Sequence, residues 1–499
     1  MAAGYSLTRR WKLRKLEQLM RNANSFSDWQ EMAAKHDRMS GAEEWKQREH
    51  CDLYDARQIR KRYKALRQAL DDGDMEEVLF ALNEGIHGNM AGMGNRALYR
   101  QAKLGTKVLI DDYVNLIIKA LKLIADVPES QLPIDEKLNF FRRASHCYGR
   151  SALALSGGAG LIYFHHGVVD TLLKHDLLPN VISGASAGAW TAAQIGTRSE
   201  AELTDYFLHK RYEFEEGIRL GDIFGISRGK GRADLENERD DVIDSFVENM
   251  TFQEAFEHTG RYINVSVAPV ERHQRSRLLN AIASPNVTIR SAIKASCSVP
   301  GLAEPVELEA KDSRGRTKPY LRSRRWYDGS LAEDLPFKRL SRMYGINHYI
   351  VSMINPVARP FLAADPNSSS DSLAKSARTL LNAGFQESLQ TTRRWLSPVT
   401  LGLFDPLFAT LHHLTNQDYV GDINIVLDSA HVFKGNTLFN YRENDIERLI
   451  AAGQRETWPK LEQIKNSVRI SRVIDDILQN LDKSAVTQQH ERYNAHMVM

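Results

Sequence analysis

The sequence predicts an α/β protein, a mainly parallel sheet with helices on both faces, set between helical N- and C-terminal extensions. Three observations carry that prediction. From residue 151 onward, short apolar runs alternate with helical stretches, the mark of strands joined by helical crossovers. Upstream, residues 1–145 are charged and poor in β-branched runs. Downstream, Glu443 to Leu481 reads as two charged helices around Trp458-Pro459. The expected organisation is a helical domain over 1–145, an α/β domain over 151–345 and a C-terminal extension over 346–499.

The elements follow in order. Leu13 to Leu19 and Ile59 to Leu70 have heptad-like spacing between Arg and Lys residues. Ile110, Tyr113, Val114, Ile117, Leu121 and Ile124 recur at helical spacing and form one apolar stripe. The expected place for that stripe is the core of its own domain; the alternative is a helix lying on a membrane surface. Ser151 to Ser156 is an apolar run ending in glycines, a buried strand entering a tight loop. Leu161 to about His175 reads as helix, Val181-Ile182-Ser183 as strand, and Ala187 to Ile195 as a helix of small residues. Tyr262 to Ala268 and His348 to Ile354 read as further strands. Residues 363–372 form a polar linker rich in breakers. Trp395 to Leu414 is apolar, but Pro398 and Pro406 break it as a helix. No internal repeat is visible.

Bulk properties narrow the function. The chain has 499 residues, 42% hydrophobic and 26% charged, ordinary values for a globular protein. No apolar run reaches the roughly 18 residues that a membrane-spanning helix needs. The N-terminus, with Arg9 and Arg10, has no apolar stretch behind it, so no secretory signal is expected. Cys51, Cys147 and Cys297 are widely spaced, which fits a reducing, cytoplasmic setting. A net charge of +3 argues against a nucleic-acid partner. No His/Cys/Asp cluster has ligand spacing, so neither metal nor cofactor is expected.

Three short strings carry chemistry. Gly184-Ala185-Ser186-Ala187-Gly188 follows the strand-like Val181-Ile182. A nucleophilic serine is best exposed on a sharp strand-to-helix turn, where Gly184 and Gly188 relieve crowding and the helix N-terminus faces developing negative charge. Gly157-Gly158-Ala159-Gly160 ends the preceding strand, and such a loop turns its amides outward to bind an anion. It fits neither the Gly-x-x-x-x-Gly-Lys-Ser/Thr nor the Gly-x-Gly-x-x-Gly phosphate pattern. With Ser186 29 residues after Gly157, the expected anion is an oxyanion. Asp328-Gly329-Ser330 follows Trp326-Tyr327, a semi-apolar setting that raises an aspartate towards a useful base. His348 is the rival base, placed by order for a Ser–acid–His triad, while His165 and His166 read as structural.

Residues 310–325 are strongly basic. Lys311, Arg314, Arg316, Lys318, Arg322, Arg324 and Arg325 face one acid, Asp312, and Gly315 and Pro319 suggest a protruding hairpin or loop. It is a solvated loop, or a lip resting on anionic lipid headgroups with help from Arg9, Arg10, Lys12, Arg14 and Lys15.

In this order the three strings resemble those of patatin-like lipid acyl hydrolases. The likeness runs from about Ala152 to Asp334 and includes His165-His166-Gly167 and Ser296-Cys297-Ser298-Val299-Pro300-Gly301. Trp29, Trp45, Tyr54-Asp55, Gly88 to Asn95, Gly105-Thr106-Lys107 and Gln417 to Ile425 resemble the triacylglycerol-lipase branch, which has a helical N-terminal domain. The resemblance implies a three-layer α/β/α catalytic core with a Ser–Asp dyad. Ser186 would be its nucleophile, Asp328 its base, and Gly157, Gly158, Ala159 and Gly160 its oxyanion loop. It implies cleavage of glycerolipid carboxyl esters, triacylglycerol or phospholipid, through an acyl-enzyme, with peripheral contact at a membrane or lipid droplet. Four positions depart from the family pattern. Ala159 stands where many members have a third glycine, Leu161 and Ile162 replace a basic residue and a glycine, and Ser330 replaces the commoner Ala or Gly. Two alternatives stand beside hydrolysis: acyl transfer on the same dyad, and a non-catalytic membrane-associated scaffold.

Overall fold

Residues 2–207, 240–271, 274–300, 303–355, 420–428 and 443–497 are described by the structure, a computed structural model. Gly301, the 363–372 linker, Trp395 to Leu414 and Gln417 to Tyr419 lie outside them. The chain divides into two compact bodies. One comprises Met1–Ser151, Ser341–His348 and Trp458–Met499; the other comprises Ala152–Leu340 and Tyr349–Thr457.

The first body is helical: α1 (Ala2–Arg21), α2 (Phe26–Ser40), α3 (Ala42–Gln47), α4 (Ala56–Asp72), α5 (Met75–Gly85), α6 (Val108–Asp126), α7 (Ile134–Tyr148) and the long α16 (Leu461–Met497). Side-chain caps set the starts. Ser25, Asp55 and Asp74 accept the backbone N–H groups of Asp28, Gln58 and Glu77, orphan donors in the first turns of α2, α4 and α5. Gly41 and Gly73 end α2 and α4 at φ 83° and 69°, angles that cost a side chain but not glycine. The apolar stripe of α6 is buried, with Ile110, Val114, Leu121 and Ile124 at 0% exposure. α4, α5 and α16 cover it, so the stripe belongs to this core and not to a membrane surface. Full burial of such a side chain contributes about 1.5–3 kcal/mol. Trp45 and Lys107 also find their reason here. The Lys107 ammonium sits 3.7 Å from the Trp45 ring centre and donates to the carbonyls of Trp45 and Arg48 at 2.6 and 2.7 Å. That is how a fully buried cation is tolerated.

The second body is built on a sheet. Its strands are β1 (Arg150–Leu155), β2 (Val181–Gly184), β3 (Tyr262–Pro269), β4 (Arg277–Leu279), β7 (Trp326–Asp328), β8 (Ile346–Met353) and β9 (Ile423–Val426); β5 (Glu309–Lys311) and β6 (Thr317–Pro319) form a separate hairpin. The spatial order is β4-β3-β2-β1-β8-β9, with β7 also on β3. β1–β2, β2–β3 and β8–β9 are parallel, whereas β4 and β7 run antiparallel to β3. Arg150 N–H bonds Gly345 O and Ser156 N–H bonds Ser352 O, so β1 and β8 advance together and are parallel as well. The chain leaves β1 towards β2 on one side and leaves β8 towards β9 on the other. The end of β1 is therefore a topological switch point, where open parallel sheets form their clefts. The glycine loop starts there.

The helices of this body include α8 (Tyr163–Lys174), α9 (Ala187–Gly196), α10 (Glu200–Asp205), α11 (Phe252–Thr259), α12 (Ile289–Ser296), α13 (Ser330–Glu333), α14 (Phe337–Tyr344) and α15 (Glu443–Thr457). α15 lies against α8 at backbone distance. A Cβ on Gly167 would fall 2.0 Å from Ile450 O, and one on Gly453 2.2 Å from Phe164 O. Gln454 Nε2 donates to the Asp170 carboxylate at 2.6 Å and fixes the register of the pair. Gly453→Val is therefore expected to destabilise the protein by about 1–3 kcal/mol or more, although valine is the better helix former. A urea-unfolding midpoint equal to that of the wild type would contradict this packing.

Candidate active site

Strand β2 ends on Gly184, and Ser186 makes the turn into α9 at φ 53°, ψ −120°. A non-glycine residue there stores about 1–2 kcal/mol of strain. Fixed partners hold it. Ser186 N–H donates to Ser296 Oγ at 2.9 Å, Ser296 Oγ–H donates to Ser266 O at 2.9 Å, and Trp190 N–H donates to Ser186 O at 3.1 Å. The flanking glycines are required by contact. A Cβ on Gly184 would lie 2.1 Å from Gly188 O, and one on Gly188 would lie 2.1 Å from Leu155 O.

Asp328 reaches this turn through β3. Val265 pairs with Gly184 of β2 on one side and with Leu279 of β4 on the other. Val267 pairs with Arg277 of β4 and with Asp328 of β7. β4 thus occupies one edge throughout, and β7 continues the edge that β2 vacates. The strand ends that carry Ser186 and Asp328 meet within two residues of β3, although 142 residues separate the two in sequence. Gly329 permits the approach, since a Cβ there would lie 2.2 Å from the Ser266 carbonyl carbon.

Asp328 is 2% exposed. Its carboxylate accepts the Ser330 N–H at 2.8 Å, and the hydroxyls of Ser330 and Ser186 also hydrogen-bond it. Burial pushes its pKa up to about 6, against the lowering effect of those hydrogen bonds. A carboxylate in this state, bonded to a serine hydroxyl, can accept that hydroxyl's proton near neutral pH.

The glycine loop is pinned at its base. Ser156 Oγ accepts Ile354 N–H at 2.9 Å and donates to Gly157 O at 3.2 Å. Gly157 N–H donates to Asp334 Oδ1 at 2.8 Å. A Cβ on Gly157 would stand 3.0 Å from Ser330 Cβ and 3.4 Å from Ser186 Cβ, so the loop passes directly beside the nucleophile turn. Of the four loop residues, Gly157 has its N–H taken by Asp334 and is packed closely against Ser330 and Ser186. Gly158 follows, and Ala159–Ile162 form a 3₁₀ turn leading into α8.

Asp334 is the residue the sequence reading passed over. It is fully buried, and burial, with the nearby Asp328 charge adding to it, pushes its pKa up to about 7. The one signal available was an acid pair, Glu333-Asp334, five and six residues beyond Asp328 on the same short segment.

The histidines have other work. Burial pushes His165 down to about 3, so its ring is neutral. Its Nε2 faces Ser156 O at 2.9 Å and must carry the proton, so Nδ1 accepts from Ser352 Oγ at 2.7 Å. His166 Nε2 bonds Gln194 Oε1 at 2.9 Å. His348 pairs through Nδ1 with Ser151 Oγ at 3.3 Å, at the beginning of β1, whereas the glycine loop and Ser186 follow the carboxyl ends of β1 and β2. Among the described residues, no group of three or more His, Cys, Asp or Glu is placed to hold a metal ion.

The fold and this arrangement define a class: an α/β protein with a candidate nucleophile on a strand-to-helix elbow and an aspartate as its hydrogen-bond partner. Comparison with known proteins narrows it. Residues 153–340 match the family model described as patatin-like phospholipase, and residues 6–146 match a domain of unknown function (DUF3336). A triacylglycerol lipase of Arabidopsis thaliana is 32% identical over 473 residues, covering 92% of this chain and 57% of that protein. Triacylglycerol lipase 4 of Saccharomyces cerevisiae is 31% identical, covering 89% and 51%. A patatin-like phospholipase domain-containing protein of Emericella nidulans is 30% identical, covering 95% and 68%. The chain belongs to the patatin-like phospholipase family. It spans between 51% and 68% of the length of these relatives.

The two raised carboxyls make stability depend on pH. The unfolded chain releases aspartate protons near pH 4, about the ordinary value. The folded chain holds those of Asp328 and Asp334 until about 6 and about 7. The native state therefore binds more protons in that window, and its stability falls as pH rises from about 4 to about 7. Asp328→Asn is expected to flatten the decline and to raise the melting temperature at pH 8. Melting curves across the window check this, and a steeper fall in the variant would refute it.

Proposed function

We propose that the protein is a serine acyl hydrolase that cleaves glycerolipid carboxyl esters by a Ser186–Asp328 dyad through an acyl-enzyme. The observation that carries this reading is the hydrogen bond between the Ser186 hydroxyl and a buried, raised Asp328 carboxylate beside a glycine loop. In the first step Asp328 accepts the hydroxyl proton as Ser186 Oγ attacks the ester carbonyl. The amides of Gly158, Ala159 and Gly160 and the N-terminus of α9 stabilise the oxyanion. The tetrahedral intermediate collapses, and Asp328 returns its proton to the leaving alcohol. Water, deprotonated by Asp328, then cleaves the acyl-serine. An alcohol in place of that water gives acyl transfer on the same groups. No step requires a cofactor.

Relatives named as triacylglycerol lipases support a neutral glyceride as substrate, and the family description supports a phospholipid. Either lies in a lipid phase. No helix among the described residues is long and apolar enough to cross a membrane, so the proposed contact is peripheral. A cytoplasmic setting is proposed from the three cysteines, all of which are free thiols.

The basic stretch bears on that contact. It forms the β5–β6 hairpin, and part of its charge is already compensated. Lys311 pairs with Glu254 at 2.7 Å, Arg316 and Lys318 pair with Asp312 at 3.0 and 2.7 Å, and Arg324 donates to Gln274 at 2.7 Å. The candidate lip therefore shrinks to the turn before β7. There Leu321 and Ser323 take left-handed angles, φ 55° and 77°, and Leu321 is 38% exposed. Val270, 44% exposed, bonds through its N–H to Arg325 O, so two apolar side chains and the arginines around them share one rim near Asp328.

Two predictions follow from this mechanism and this rim. Ser186→Ala should abolish labelling by a fluorophosphonate probe, and Asp328→Asn should slow it and ester turnover by about 100-fold or more. Full turnover by Asp328→Asn would remove the dyad, and a wild type that never labels in the presence of lipid would favour the scaffold. Arg322→Glu with Arg325→Glu should weaken co-sedimentation with phosphatidylglycerol vesicles by about tenfold or more, since each cation near the surface is worth about 1 kcal/mol. Unchanged binding, with unchanged salt dependence, would rule the rim out as the lipid contact.

A further inference from the structure

Asp334 has no part in the mechanism above, yet it touches the machinery. Its Oδ1 takes the Gly157 N–H at 2.8 Å, the Asn355 side chain hydrogen-bonds its carboxyl group, and Asp328 acts on it through charge. α13 carries it: a single turn, Ser330–Glu333, separates it from the Asp328-Gly329 pair. One seven-residue segment therefore delivers the base, the serine that bonds the base, and a second buried carboxyl that grips the loop from the opposite strand end.

We propose that Asp334 is a positioning residue for acyl transfer, holding the glycine loop through Gly157 so that the amides after it face the oxyanion. The inference rests on the hydrolase reading of the site. Its logic is geometric. Asp334 Oδ1 holds the Gly157 amide at 2.8 Å, Ser156 Oγ holds the Gly157 carbonyl at 3.2 Å, and a Cβ on Gly157 would stand 3.4 Å from Ser186 Cβ. Gripping the Gly157 amide also fixes the plane of the peptide before Gly158. That orients the amides that follow, which the mechanism directs at the oxyanion.

The test compares wild type, Asp334→Asn and Asp334→Ala on a water-soluble short-chain ester, with melting curves to confirm folding. Asparagine keeps an acceptor for the Gly157 N–H but removes the acid. It should retain kcat within about tenfold, the rescue that a grip on the amide requires. Alanine removes the grip. It should lower kcat by about 100-fold with KM nearly unchanged, the loss expected for a misdirected oxyanion donor. A residue that merely supported the fold would lower the melting temperature of both variants alike, with no selective loss of kcat in alanine. Wild-type kcat in Asp334→Ala, or equal losses in the two variants, overturn the proposal. Amide hydrogen exchange over Gly157–Gly160 reads the grip without turnover. It should be faster in Asp334→Ala than in the wild type and Asp334→Asn, and equal exchange in all three overturns the proposal. If the wild type turns over no ester, the hydrolase reading fails, and the exchange result still decides the grip.

Discussion

One edge of β3 is divided between two partners, β2 as far as Val265 and β7 from Val267 onward, and the site depends on that division. β2 must stop at Gly184 for β7 to continue the edge. Stopping there forces the chain into the strained turn at Ser186. β7 must enter antiparallel and end at Asp328, and the chain must then pass under Gly329 against the Ser266 backbone. Ser266 also accepts the hydroxyl of Ser296, which in turn holds the Ser186 amide. The short stretch Val265–Val267 therefore fixes the Ser186 turn and the Asp328 carboxylate together. A change in register by one residue would turn Asp328 to the other face of the sheet.

The same geometry imposes an electrostatic cost. Two carboxyls are taken out of water within seven residues of chain, and burial raises the proton affinity of both. The protein offsets part of this with directed N–H and hydroxyl donors and leaves the rest as raised proton affinity. Stability is given up where chemistry is proposed, a common trade at active sites. By contrast, the buried Lys107 of the helical body is satisfied by two carbonyls and an aromatic ring and carries no such tension. Buried charge alone does not mark a site. Buried charge left with a strained proton balance beside a strained serine does.

Long strands and helices were legible in the sequence because burial on both faces leaves continuous apolar runs. Ser151 to Ser156, Val181 to Ser183, Tyr262 to Ala268 and His348 to Ile354 all lie on observed strands to within two residues or so at each end. β4 and β7 were not legible. Each is three residues long and takes its conformation from β3, and Trp326-Tyr327-Asp328 has no period to read. The partial neutralisation of the basic stretch was hidden for a related reason, since Glu254 and Gln274 lie far from it in sequence. Gly157 shows the limit most clearly. Its composition signals an anion nest, but its amide is taken by the Asp334 side chain, and only the fold brings that group to it.

The proposed dyad also explains how an aspartate can stand where many serine enzymes use histidine. An exposed aspartate is a weak base, with a pKa of about 3.9, whereas an exposed histidine sits near 6.5. Burial reverses the comparison because it penalises the charged form of each. For the carboxyl the charged form is the base, so its proton affinity rises; for the imidazole the charged form is the acid, so its affinity falls. Both shifts are present within this one body. Asp328 is pushed up to about 6 and His165 down to about 3. In sites this dry the carboxylate is the stronger base of the two kinds of group. A site that must exclude water to receive an acyl chain therefore favours the carboxylate, provided that donors such as the Ser330 N–H keep it ionised at neutral pH.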